Sequence, residues 1–137
     1  MATELEKFKA DGFVQPRMTT LSGAIVVGAA GAISAQTGMQ VSGVTFVKNA
    51  ATGRYDGTMH RGYKRAVKTM ADMVGPTAGT VPNAAKEVSV TGITAANFAG
   101  TSPVSTFSLV CTAADGATAT NPTSGDIITW SLEVSDL

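Results

Sequence analysis

Few residues in this 137-residue chain are of a type that does chemistry. His60 is the only histidine and Cys111 the only cysteine. A zinc site made of His and Cys takes more ligands than this pair supplies, and a lone cysteine forms no intrachain disulfide. Cys111 lies inside an apolar run. A reactive thiolate needs an electropositive, partly exposed setting, so this thiol reads as inert core. His60, beside Arg61, reads as a turn or interface residue, and no nucleophile-elbow sequence accompanies it. Gly28-Ala-Ala-Gly31 lacks the Lys-Ser/Thr ending of a phosphate loop and has no following helix. Asp115-Gly116 and Ser124-Gly125-Asp126 resemble fragments of calcium loops, but turn chemistry accounts for them. No two carboxylates form an evident acid/base pair. Trp130 reads as core, with stacking on a sugar as the other use of an indole. The sequence therefore predicts no enzyme, no cofactor and no metal.

The elements that carry these residues are strands. In the run from Ile127 to Val134, Ile128, Trp130, Leu132 and Val134 fall on one face and Thr129, Ser131 and Glu133 on the other. That is the period-2 pattern of a half-buried strand. Val104 to Cys111 is a second such run, joined to it by a small-residue loop over residues 112–126. Residues 40–48 and 54–59 flank Asn49-Ala-Ala-Thr-Gly53, a turn in which Gly53 is free to take φ > 0, so the pair predicts a β-hairpin. Further short strands are expected at 24–27, 32–36 and 87–91, and loops at 77–85 and 92–103.

Residues 62–74 admit two readings. Tyr63, Val67, Met70 and Val74 sit at helical spacing, while Val67, Thr69, Ala71 and Met73 alternate with Lys68, Met70 and Asp72. Periodicity by itself favours helix slightly, and Gly75-Pro76 ends the segment either way. Seven or eight short strands in one chain of this length predict an all-β fold, a β-sandwich or jelly roll. Phe46, Phe107, Leu109, Ile128, Trp130 and Leu132 are its expected core.

Composition points towards assembly. Charged residues make up 15% of the chain, against roughly 25% in an average soluble domain. Ala, Gly, Thr and Ser predominate. Such a surface suits a protein packed against other subunits. Formal net charge is zero, yet Lys48, Arg54, Arg61, Lys64, Arg65 and Lys68 cluster in one stretch, and every charged residue after Lys86 is acidic. The plain reading is solvated charge. The sharper one is complementarity with a neighbouring copy or a partner, which makes Arg61, Lys64, Arg65 and Lys68 candidate interface residues. The whole is not basic enough to predict nucleic-acid binding.

Residues 1–20 read as an N-terminal arm, with 21–137 as the β-sandwich domain. Glu4, Glu6, Lys7 and Lys9 are solvated, and Leu5, Phe8 and Phe13 are the anchors expected to dock on a neighbouring subunit. One or two helical turns over 4–10 would stop before Gly12 and Pro16. The apolar stretch 21–35 is too short and glycine-rich for a membrane span. Glu4, Glu6 and Asp11 ahead of it argue against a signal peptide.

Three segments carry a resemblance. Ile25-Val-Val-Gly-Ala-Ala-Gly-Ala-Ile-Ser-Ala-Gln-Thr-Gly, the hairpin Gly43-Val-Thr-Phe-Val-Lys-Asn-Ala-Ala-Thr-Gly-Arg-Tyr-Asp-Gly-Thr-Met-His-Arg-Gly-Tyr, and the ending Asn121-Pro-Thr-Ser-Gly-Asp-Ile-Ile-Thr-Trp-Ser-Leu-Glu-Val-Ser-Asp-Leu resemble small structural proteins of tailed-bacteriophage virions. The resemblance spans most of residues 24–137 and leaves the arm outside. It tips 67–74 towards strand. It implies a capsid decoration or cement subunit, made in the host cytoplasm and carried on the virion surface. The implied partners are the major capsid protein and copies of itself, with no nucleic acid and no membrane. The alternative from another class is a phage fibre, tail or adhesin module that binds a host-surface glycan.

Overall fold

The structure, a computed structural model, describes residues 18–37, 43–76 and 81–137. Its strands are β1 (Met18–Val27), β2 (Ile33–Thr37), β3 (Val44–Lys48), β4 (Arg54–Tyr63), β5 (Arg65–Val74), β6 (Glu87–Thr91), β7 (Val104–Thr112) and β8 (Ile127–Ser135), with one short helix, α1 (Ala95–Ala99). They form two four-stranded antiparallel sheets, ordered β2-β1-β8-β5 and β3-β4-β7-β6. β1–β2 and β3–β4 are hairpins. The chain then crosses from the second sheet to the first between β4 and β5, and β8 returns to insert between β1 and β5. The fold is thus the all-β sandwich that the strand pattern predicts.

Alternation sets the two faces of β8. Along β8, Ile128, Trp130, Leu132 and Val134 point inward and are buried. They meet Phe46, Tyr55, Phe107 and Leu109 from the other sheet in one core. At the seam, the Phe46 ring stands edge-on to Phe107 at 5.4 Å between centroids and to Trp130 at 5.2 Å, with Phe107 5.6 Å from Trp130. These are the spacings at which aromatic quadrupoles attract. Gly57 makes room for this trio: a Cβ there would stand 2.7 Å from the Phe46 ring. All six predicted core residues are buried.

Several boundaries differ from expectation. β1 starts at Met18, so residues 18–20, read as the end of the arm, belong to the first sheet. The helical spacing in 62–74 does not produce a helix: β5 is a strand across Arg65–Val74, paired with β8 over its whole length. The reason is non-local. The β8 ladder offers backbone partners and an apolar face that takes Ala66 and Met73, which outweighs a marginal helical periodicity. Within 92–103, read as loop, α1 forms a single turn. Thr94 Oγ1 accepts from the Asn97 N–H, and the Asn97 side chain accepts from the Thr94 N–H, closing a capping box. The hairpin turn behaves as expected, with Gly53 at φ 68°. His60 lies on β4, not in a turn.

The two sheets are also stitched at one edge. From β2, Gln36 Nε2 donates to the Phe46 carbonyl at 2.7 Å and Gln36 Oε1 accepts from the Phe46 N–H at 2.9 Å. This side-chain amide imitates a strand neighbour and satisfies the exposed edge of β3, a position that otherwise invites pairing with another chain.

Candidate functional site

The chemically capable residues are held in structural roles. Cys111 is buried on β7, and burial pushes its thiol up to about 12. So placed it stays protonated and is a poor nucleophile. Beside it, the Tyr55 hydroxyl donates to the Gly31 carbonyl at 2.6 Å, and burial raises its pKa well above the usual phenol value. Asn121 Oδ1 accepts from the Gly53 N–H at 2.7 Å, which ties the hairpin turn to the loop before β8. Asp126 is fully buried; its Oδ2 accepts from the Thr123 N–H at 3.0 Å, fixing the turn that launches β8. Asp115 likewise caps a turn through the N–H groups of Ala117 and Thr118, both at 2.9 Å. Those bonds and the Thr118 hydroxyl bring its carboxyl down to about 2. Both aspartates serve turns, as the sequence predicts. Among the described residues no three His, Cys, Asp or Glu side chains gather as a metal would require. No helix among them is long and apolar enough to cross a membrane.

Asp56 is the centre of a surface network on the second sheet. It accepts from Asn49 Nδ2 at 2.6 Å, Ser108 Oγ at 2.7 Å and Arg54 Nε at 2.9 Å. These three donors hold its carboxyl down at about 2. Asn49 Oδ1 also accepts from the Ala51 N–H, so the network pins the β3–β4 turn to the face of the sheet.

The predicted interface residues separate. Leu5, Phe8 and Phe13 lie outside the described residues. Arg61, near the end of β4, pairs with Asp136 through Nη2–Oδ2 at 2.8 Å, and its guanidinium sits 3.9 Å from the centre of the Tyr63 ring. Arg54 is engaged by Asp56. Part of the basic stretch is therefore answered within the chain. Lys64 is exposed in the β4–β5 connection, and Lys68 is exposed on β5 opposite Glu133. Arg65, first residue of β5, is half-buried. Trp130 is 4% exposed, so its ring is not available to stack on a sugar.

A feature that the sequence alone did not disclose is the outer face of the first sheet. The pairing registers place Ala35, Val26, Ile127 and Val74 in one row across all four strands. Their chain neighbours Ile25, Val27, Ile128 and Met73 point into the core. Two rows further on come Ser22, Ser131 and Met70. The Met70 side chain is 56% exposed and Val74 42%. On β1 and β2 this face carries no charged residue; Asp72, Glu133, Lys68 and Arg65 lie on the β8–β5 side. The result is a face with an apolar row and with its charged residues confined to the β8–β5 half.

Comparison with known proteins returns no match to any family model, any curated protein or any solved structure. The class defined by the fold is a two-sheet antiparallel β-sandwich.

Proposed function

We propose that this chain is a structural virion protein, a capsid decoration or cement subunit that binds across major capsid protein subunits of a tailed-phage head. The observation that carries the reading is the row Ala35–Val26–Ile127–Val74 on the outer face of the first sheet, with Met70 beside it. Apolar side chains in a row on a sheet gain free energy when another surface covers them, at roughly 25 cal/mol per Å² of apolar area. A subunit of this size can devote such a face to an interface of standard extent, about 1,600 Å² in total. The low charge content and the sequence resemblance support the same reading.

Its test is direct. The purified chain, mixed with empty shells of the major capsid protein, should co-sediment to a fixed stoichiometry. Val74→Glu, a change at an exposed position, should weaken that binding about tenfold or more while the chain stays folded. Replacing Arg61, Lys64, Arg65 and Lys68 by Gln should weaken binding at low salt and flatten its dependence on ionic strength, because exposed charges are screened over about 8 Å at physiological ionic strength. Failure to bind shells, together with binding of the isolated chain to cells or glycans, would replace this reading with the adhesin alternative.

A further inference from the structure

The same face ends in a groove. Where β1 begins and β8 ends, Met18, Arg65, Val67, Ser135 and Leu137 enclose about 230 Å³. The walls are apolar and open to solvent, with Met18, Val67 and Leu137 all exposed. Arg65 is the cation in the wall, and it is held in place. Its Nη2 is 3.1 Å from where a Cβ on Gly100 would stand, so the guanidinium lies against the backbone at the end of α1. Its Nε is buried with no hydrogen-bond partner among the described residues. A guanidinium cannot shed its charge. Lys64 and Lys68 are exposed on either side of it in the chain. The acidic groups on the adjoining strand and tail are Glu133, opposite Lys68, and Asp136, which Arg61 engages. The groove is thus a largely apolar slot with Arg65 in its wall, and Lys64, Lys68, Glu133 and Asp136 around it.

We propose that this groove receives the N-terminal segment of a second copy of this chain, with Leu5 between Met18, Val67 and Leu137, and with Glu4 and Glu6 facing Arg65 and the adjacent lysines. The segment Glu4-Leu5-Glu6 is the chemical complement of the slot: one apolar side chain flanked by two carboxylates. A carboxylate in the groove can meet the solvent-facing part of the half-buried Arg65 in a charge-assisted bond. Residues 1–17 join the sandwich at Met18, which is itself a wall of the groove. Each copy therefore presents the slot and the inserting segment at one place. A two-fold pair can exchange segments reciprocally, the self-complementary arrangement of most dimers. Seventeen extended residues reach at most about 60 Å, enough to pass from one copy to the next. The choice of a second copy over the chain's own groove rests on the structural role proposed above.

The experiment uses full-length chains and no shells. One preparation carries Leu5→Cys and another Val67→Cys; the native Cys111 is buried and stays silent. Mixed under mild oxidation, they should form the mixed disulfide-linked dimer in clear excess over either self-pair. Leu5→Asp and Arg65→Glu should each weaken self-association about tenfold in sedimentation. Adding Glu4→Lys and Glu6→Lys to Arg65→Glu should restore it, which a merely misfolded variant would not show. A chain carrying both cysteines that closes only on itself would overturn the proposal, as would a full-length chain that stays monomeric or a mixture that yields no 5–67 link. The two assays tell the failures apart: loss of the 5–67 link with shell binding retained removes the exchange alone, and loss of shell binding with the link retained removes the structural role.

Discussion

Replacing Trp130 by alanine should remove the largest side chain at the seam between the sheets. The residue is 4% exposed and touches Phe46 and Phe107 at centroid distances of 5.2 and 5.6 Å. An aromatic of this kind buries about 150–250 Å². At roughly 25 cal/mol per Å² the transfer term is about 4–6 kcal/mol, an upper bound because the unfolded chain already covers part of that area. The retained Cβ lowers the loss. The two ring contacts raise it, as does the cavity left beside Gly23, where a Cβ would stand 3.1 Å from the indole. The net expectation is about 3–5 kcal/mol. Total stability of a domain of this size is about 7–20 kcal/mol, so the variant should fold but with little reserve. The assay is equilibrium urea unfolding. Trp130 is the only tryptophan, so far-ultraviolet circular dichroism must follow the transition in place of fluorescence. With a slope of about 2 kcal/mol per molar urea, the midpoint should fall by about 2 M. Trp130→Phe should lose less than half as much. An alanine variant with an unchanged midpoint would place the indole outside the core, and would refute both the packing argument and the strand alternation it rests on.

Gln36→Ala should remove both side-chain bonds to the Phe46 backbone and cost about 1–3 kcal/mol. Faster hydrogen exchange at the Phe46 amide and a rise in aggregation through the bared β3 edge should accompany it; unchanged exchange would show that this edge is protected by other means. Acid should weaken the fold in a defined window. The carboxyls of Asp56 and Asp115 are held at about 2 in the fold, below the roughly 3.9 of an unfolded chain. A depressed folded value contributes stability that is present above pH 4 and lost as pH falls from about 4 to about 2. Asp56 has a side chain 40% exposed, so water screens its share to about 1 kcal/mol or less. Asp56→Asn should flatten the acid limb of the stability curve; an identical limb would show that other carboxylates set it.

The class of fold is legible in local sequence signals. Strict alternation in β8, the run through β7 and the hairpin around Gly53 are local signals, carried by side chains two residues apart or by one glycine's freedom at φ 68°. Burial of Trp130 and Cys111 followed from the same patterns. The turn roles of Asp115 and Asp126 were legible because a short carboxylate beside glycine caps its own backbone. The tertiary structure decided whatever depends on residues far apart in the chain. Residues 65–74 satisfy two periodicities, and only the ladder with β8 makes them a strand. Thr94 and Asn97 close a capping box, but with asparagine in the place usually taken by Glu or Gln the signal was easily missed. Arg61 meets Asp136 across seventy-five positions. Val26, Ile127 and Val74 become one row, and Met18, Arg65 and Leu137 one groove, only when the register is set. A strand's own sequence fixes which side chains share a face. Which strands lie beside it, and in what register, is settled by the burial and hydrogen bonding of the whole sandwich, and the surfaces offered to other molecules are products of that choice.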